Sequence, residues 1–368
     1  MEKTYRVFVV NPGSTSTKVA YFENEKCVVS RSIFHDSSKL MTYETINDQL
    51  DYRMFGIRKF LSDSRIDLHG IDAVVGRGGP CYACESGTYE VDDKLIKDTK
   101  EVKGHFYHSS MLGVQLAKEI ANRYECMCLM VDPPIVDELC DLARVTGVKD
   151  KYRRATAHTL NAKATGRVYA KEIGKKYEDL NLIIAHIDGG ISITAHDHGR
   201  MIDGNDAGGG EGPFTPTRMG SMAVTDVLDY LFDKDPKEVR ALCSQRGGLS
   251  SWFGTSDSSK IYYEMIRRGD KKAERVWNAM IYQCSKWIAM MSAPLKGKVD
   301  AILLTGGLLR IPGVIDTITE DVGWIAPVKA YPGEFEHEAM AYAALRVLRG
   351  EEKPKKYTGQ PVWTGFGD

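Results

Sequence analysis

Several features are missing from this sequence, and each absence excludes something. No apolar run approaches membrane-spanning length. The first residues, Met1-Glu2-Lys3-Thr4, run straight into a strand pattern, without the basic and then apolar succession of a secretory signal. An excess of one charge is lacking too: 49 Lys and Arg against 50 Asp and Glu leave a net charge of −1. No broad field is therefore expected to draw the chain to nucleic acid or to a membrane surface. The eight cysteines form no framework. Cys81-Tyr-Ala-Cys84 and Cys126-Met-Cys128 are close pairs, but no second CxxC answers them, so reduced thiols are favoured over zinc or redox chemistry. A GxxxxGK[ST] loop is also absent, which excludes a Walker-type phosphate site. A cytoplasmic globular protein is expected, and 368 residues are enough for two domains.

What is present is organised around residues 6–22, RVFVVNPGSTSTKVAYF. Two apolar, β-branched runs read as strands. Between them lies a small, hydroxyl-rich turn containing Asn11, Gly13, Ser14, Ser16 and Lys18. Such a turn aims backbone N–H groups and short hydroxyls at one spot, which suits a phosphate. Taken alone, the stretch reads equally well as an ordinary hairpin with a polar turn.

A second copy shifts the balance. Residues 181–196, NLIIAHIDGGISITAH, repeat the layout of apolar strand, glycine turn with a hydroxyl, and apolar strand, and they carry His186, Asp188, Gly189 and Gly190. Two such hairpins point to a duplicated domain with a nucleotide held between the halves. A third glycine turn, Thr305-Gly306-Gly307, follows another apolar strand. This is the pattern of the actin-like, sugar-kinase superfamily.

Taken in order, residues 41–61 are expected to form a helix. A strand at 71–75 runs into Gly76-Arg77-Gly78-Gly79, an arginine among glycines at a strand end. Ligands of α/β sheets bind at such ends, and arginine suits bidentate contact with phosphate or carboxylate; a solvated arginine in a tight turn is the plainer reading. His105 and His108 precede a helix at about 109–123 and read as cap or core residues. Asp132, before Pro133, is either a helix N-cap or a strand-end carboxylate placed for Mg²⁺. His158 opens a helix at 159–176 close to Arg153 and Arg154, in a positive field that disfavours its protonation. Residues 204–220 are too rich in glycine and proline for regular structure and read as a functional loop carrying Arg218. Residues 224–246 read as mostly helical, broken near Pro236. A second glycine-bounded loop ends at Asp257. The helix at 273–295 has core methionines, and the helix at 336–349 is the last. Residues 351–368 read as a surface tail or subunit contact.

VVNPGSTSTKVA, VVGRGG, VDPPIVDEL, AKEIGKKYEDLNLI, GEGPF, LKGKVDAILLTGGL and YPGE with ALRVLRGEE, in this order and spacing, closely resemble the butyrate and branched-chain fatty-acid kinases of the acetate kinase family. The likeness covers nearly all of residues 4–353. It implies duplicated RNase H-like domains of the actin-like ATPase type with an inter-domain active cleft. One domain would comprise residues 1–153 with 336–368, the other residues 154–335. The implied reaction is reversible phosphoryl transfer between an acyl phosphate and ADP, giving ATP and a short-chain acid, with Mg²⁺ as cofactor, in a homodimer or larger homo-oligomer. The resemblance makes Arg77, Asp132, His158 and Arg218 catalytic. It sets Asn11, Ser14, Ser16, Lys18, His186, Asp188, Gly189, Gly190, Asp257, Gly306 and Gly307 against the nucleotide. It puts Asn11 and Glu336 on the metal, with Glu334 a near rival to Glu336.

Four stretches depart from the family pattern. Asp188 stands where the second phosphate loop usually has glycine, and Thr217 and Met219 flank Arg218 where PERSGG is usual. Asn205 to Phe214 replaces NALDGEGPF, and Leu308 to Pro312 replaces small and Tyr-Ser residues. These departures leave open a nucleotide- or acyl-phosphate-binding paralogue with little turnover.

Overall fold

The computed structural model describes residues 3–79, 81–103 and 108–367. His105 lies outside them. The chain divides into two compact units, one of Met1–Asp137 with Phe335–Asp368 and the other of Glu138–Glu334. The first break falls earlier than position 153 because the intervening residues are tied to the second unit. The Cys140 N–H donates to the Ile202 carbonyl, and Arg153 pairs with Asp203 at 2.9 Å.

The first unit is built on six strands: β1 (Arg6–Pro12), β2 (Ser16–Glu23), β3 (Lys26–Phe34), β4 (Ala73–Arg77), β5 (Thr88–Glu90) and β6 (Met127–Val131). Their order in the sheet is β3-β2-β1-β4-β6-β5. β1 to β3 form an antiparallel meander, whereas β4 runs parallel to β1 and β6 parallel to β4. Val7, Phe8, Val9 and Val10 are all fully buried. That continuous apolar run is what a strand covered on both faces requires. β4 meets the helix Met111–Tyr124 through two glycines: a Cβ on Gly113 would lie 2.3 Å from the Arg77 carbonyl oxygen. Any larger residue would push the strand end carrying Arg77 off the helix.

The second unit repeats the plan with β7 (Asn181–Ile187), β8 (Ile191–Asp197), β9 (Arg200–Gly204), β10 (Ala301–Gly306) and β11 (Val328–Pro332). Read from the meander side, the order β9-β8-β7-β10-β11 matches β3-β2-β1-β4-β6, with the same antiparallel and parallel pairings. The helix Lys271–Met290, capped by Asp270, packs Val276, Met280, Ile281, Cys284 and Ile288 into this core, where Met280 fills space, while Met290 is exposed.

The helix expected at 41–61 begins only at Leu50 and ends at Asp63. Thr42 and Thr45 bond locally through their hydroxyls, Thr45 to Asp48 at 2.8 Å, and so compete with helical pairing upstream. The 224–246 segment is two helices, Val224–Leu231 and Pro236–Ser244, the second starting at its proline behind the Asp235 cap.

Candidate active site

In the first unit the notable side chains gather at the C-terminal ends of the parallel strands β1, β4 and β6. Asn11 stands at the end of β1, Arg77 at the end of β4, and Asp132 directly after β6. All three are buried. The turn between β1 and β2 is shaped from beneath by Arg53, on the helix Leu50–Asp63. Its guanidinium donates to the carbonyls of Gly13 at 2.9 Å, Ser14 at 3.0 Å and Ser16 at 3.1 Å. No described peptide is cis, and in a trans peptide the N–H points opposite to the carbonyl. The Ser14 and Thr15 N–H groups are therefore turned away from Arg53, as an anion-binding turn requires. Burial lowers the Arg53 pKa to about 10, which leaves it charged at neutral pH. The sequence reading missed Arg53, although it sits in register with Ile57 and Phe60 on the buried face of its helix.

Asn11 donates through its side-chain amide to Glu336 Oε2 at 2.7 Å, and Glu336 Oε1 forms an ion pair with Arg77. Glu336 is thus held by two neighbours within its own unit. Asp132 caps no helix, because a turn follows it and Val136 bridges to Cys84 instead. Its Oδ1 accepts from the Ser86 hydroxyl at 2.6 Å and from the Gly87 N–H at 2.8 Å. His108 Nδ1 accepts from the Ser110 N–H at 3.1 Å, a local bond at the start of its helix. Ser14 is exposed at the turn; Ser16 and Lys18 are half-buried on β2.

The second unit gathers its groups at the equivalent strand ends. His186, near the end of β7, and His158, before the helix Thr159–Glu172, stack with ring centroids 3.9 Å apart and planes at 14°. The Ser192 hydroxyl accepts from the His158 N–H at 3.2 Å and lies 2.8 Å from His158 Nδ1. In the tautomer where this hydroxyl directs its own proton to Nδ1, Nε2 carries the hydrogen. Arg153, one of the two arginines expected to set a positive field at His158, is paired with both Asp203 and Glu211. Asn161 donates to His186 Nδ1 at 2.9 Å and to Thr305 at 3.1 Å, so His186 likewise presents Nε2–H. Asn161 and Thr305 are further residues the sequence reading missed.

The loop carrying Arg218 folds onto the second glycine turn. The Thr215 and Thr217 hydroxyls donate to the Gly189 carbonyl at 2.8 and 3.0 Å. Arg218 donates to the Ala207 carbonyl at 2.5 Å, and a Cβ on Gly190 would lie 2.8 Å from its guanidinium. Burial lowers the Arg218 pKa, opposed by Asp206. Gly306 has φ +109°, and a Cβ there would meet the Ile187 carbonyl oxygen at 2.3 Å, so only glycine closes this turn against β7. Asp188, Gly189, Asp257, Ser258, Gly307 and Arg310 line an open depression of about 520 Å³. Asp257 itself caps the Lys260 N–H at 2.9 Å.

Among the described residues one group of three, His186, Asp188 and Glu334, brings possible ligand atoms within 4.8 Å of one another. Its two carboxylates suit a hard cation such as Mg²⁺, but a protonated His186 Nε2 does not. Asp188 pairs with neither Arg200 nor the 153–154 arginines. It accepts the N–H groups of Gly189 and Gly307, at 2.7 and 2.6 Å.

Residues 141–311 match the model of the acetokinase family. Two proteins named probable butyrate kinase, from Clostridium botulinum strains Alaska E43 / Type E3 and Eklund 17B / Type B, are each 42% identical to this chain over 96% of its length and 100% of their own. Among solved structures, the Porphyromonas gingivalis acetate kinase superposes with a TM-score of 0.74 at 16% identity, covering 94% of this chain and all of its own. A Francisella tularensis propionate kinase gives 0.71 at 16%, covering 92% and 98%. At such low identity these two establish the fold alone, the duplicated RNase H-like architecture. Matched along almost its whole length by relatives 42% identical to it, the chain belongs to the acetokinase family, the acetate kinase-type carboxylate kinases.

Proposed function

We propose that this carboxylate kinase acts on butyrate or a similar short-chain acid, transferring a phosphoryl group reversibly between its acyl phosphate and ADP. The observation that carries the reading is the Arg218 guanidinium laid over the Gly189–Gly190 turn, with the stacked His158 and His186 rings in the same unit. A phosphoryl transition state spreads negative charge over three equatorial oxygens and asks the protein mainly for fixed donors and cations. Arg218 supplies the cation and His158 an N–H donor. In the first unit Arg77, with Asp132 at the neighbouring strand end, meets the carboxyl group. Ser14 at the first turn with Ser16 and Lys18 at the start of β2, and Gly189, Gly190, Asp257, Gly306 and Gly307 in the second unit, serve the nucleotide phosphates. Mg²⁺, when bound with the nucleotide, neutralises phosphate charge. Glu334 fits that role better than Glu336, whose oxygens are taken up by Arg77 and Asn11. The 42%-identical probable butyrate kinases support a four-carbon acid.

The occupied donors of Gly189 and Gly307 favour one second reading, a nucleotide- or acyl-phosphate-binding protein of low turnover. A coupled kinase assay on acetate, propionate, butyrate and isobutyrate separates the two. Turnover highest on butyrate or isobutyrate is expected. Highest turnover on acetate overturns the substrate assignment, and none on any of the four overturns the enzyme reading.

A further inference from the structure

The carboxylate of Asp188 uses both its oxygens on backbone. Oδ1 accepts from the Gly189 N–H at 2.7 Å and Oδ2 from the Gly307 N–H at 2.6 Å. Gly189 belongs to the turn after β7 and Gly307 follows β10, so one side chain joins two neighbouring turns across 119 positions of sequence. Its own main chain is fixed as well, the Asp188 N–H donating to the Gly190 carbonyl at 3.2 Å. A Cβ on Gly307 would stand 2.7 Å from Oδ2, so the approach depends on glycine there. Asp188, Gly189 and Gly307 all line the open depression of the second unit.

Backbone N–H groups in glycine turns are the donors a phosphate oxygen uses. Here a resident anion already holds two of them, at distances typical of charge-assisted hydrogen bonds. We propose that Asp188 is a specificity-determining residue: an internal anion seated on the donors of the phosphate site, which a nucleotide phosphate must displace or forgo. This rests on the reading of these turns as the nucleotide site. Displacement breaks two short hydrogen bonds; binding without those donors sets a phosphate beside a fixed negative charge. Either way the site discriminates against free anions more strongly than two open glycine turns would. An amide at this position removes the charge and one of the two acceptor oxygens, so asparagine relieves the competition in part.

The test is calorimetric titration of the whole chain with ADP and with inorganic phosphate, in the presence of EDTA, for wild type, Asp188→Gly and Asp188→Asn, each checked by thermal melting. Asp188→Gly is expected to bind ADP at least about tenfold more tightly than wild type and to gain affinity for phosphate, with Asp188→Asn between them. Equal or weaker binding by a folded Asp188→Gly overturns the proposal. So does an effect seen only when Mg²⁺ is added, which would make Asp188 a metal ligand. If Asp188→Gly melts below the assay temperature, Asp188→Asn decides: tighter ADP binding supports the proposal and unchanged binding overturns it. Absence of ADP binding in wild type and variants alike, with and without Mg²⁺, overturns the nucleotide reading as well. Measurable wild-type binding that no variant tightens overturns this inference alone.

Discussion

Glu336 accepts a hydrogen bond from the Asn11 side-chain amide at 2.7 Å across 325 positions of sequence, while its other oxygen pairs with Arg77. Both charged side chains are about nine-tenths buried. Removing one partner of such a pair leaves a desolvated charge, which costs about 3–5 kcal/mol. Glu336→Ala is expected to lose roughly that much in urea unfolding. Combining it with Arg77→Met should cost less than the sum of the two single changes, since the double variant buries no lone charge. Additive losses would show that the pair is not coupled.

Arg53 serves three carbonyls of the first turn at once. Arg53→Met strands them and is expected to lower stability by about 3 kcal/mol, from charge-assisted bonds worth about 1.5–3 kcal/mol each and partial replacement by water. Arg53→Lys keeps the charge but not the fork, so an intermediate loss is expected. Equal stability of Arg53→Met and wild type in urea unfolding would refute this account of the turn.

Arg218 is assigned to the transferring phosphoryl. Arg218→Ala should lower kcat at least about a hundredfold in the coupled assay, with little change in melting temperature, and Arg218→Lys should recover only part. A near wild-type kcat in Arg218→Ala would sink the assignment.

His158 is assigned as a donor through Nε2–H. Glutamine can present an amide N–H near that point, and alanine cannot. His158→Gln is therefore expected to retain a clearly higher kcat than His158→Ala; equal losses would argue for some other role.

Acid sensitivity should arise in part from His35. Thr17 Oγ1 accepts a hydrogen bond from the Arg53 guanidinium and lies 2.8 Å from His35 Nε2, which leaves its own hydroxyl proton free to donate to a neutral ring nitrogen. Burial first, and the Arg53 charge second, lower the His35 pKa from 6.5 to about 4. Between those values the unfolded chain binds a proton that the folded chain refuses. Stability is then fully present above pH 6.5 and falls as the pH is lowered toward 4. His337 is lowered to about 4 as well and acts in the same direction. Urea unfolding at pH 7 and pH 5 should show a smaller drop for His35→Asn than for wild type. An identical drop would remove His35 from the explanation.

Much of this protein is decided locally and was legible in the sequence. Val7 to Val10 and Leu182 to Ile187 must be strands, and the small, hydroxyl-bearing residues after them must turn. Both follow from side-chain shape and backbone freedom within a few residues. The loop carrying Arg218 and the break at Pro236 were readable for the same reason. Other features depend on partners far away along the chain, and no local pattern reports them. That Asn11 and Arg77 hold Glu336 could not be read from the sequence, since 325 positions separate Asn11 from Glu336. Asp132 stood equally well as a helix cap until no helix followed it and Ser86 and Gly87 filled its oxygen. The surroundings of Asp188 are likewise set at a distance: the packing of β10 beside β7 brings Gly307 to its carboxylate. Hydrogen bonds are short-ranged, so which donor meets which acceptor is fixed only when the sheet has brought distant segments together.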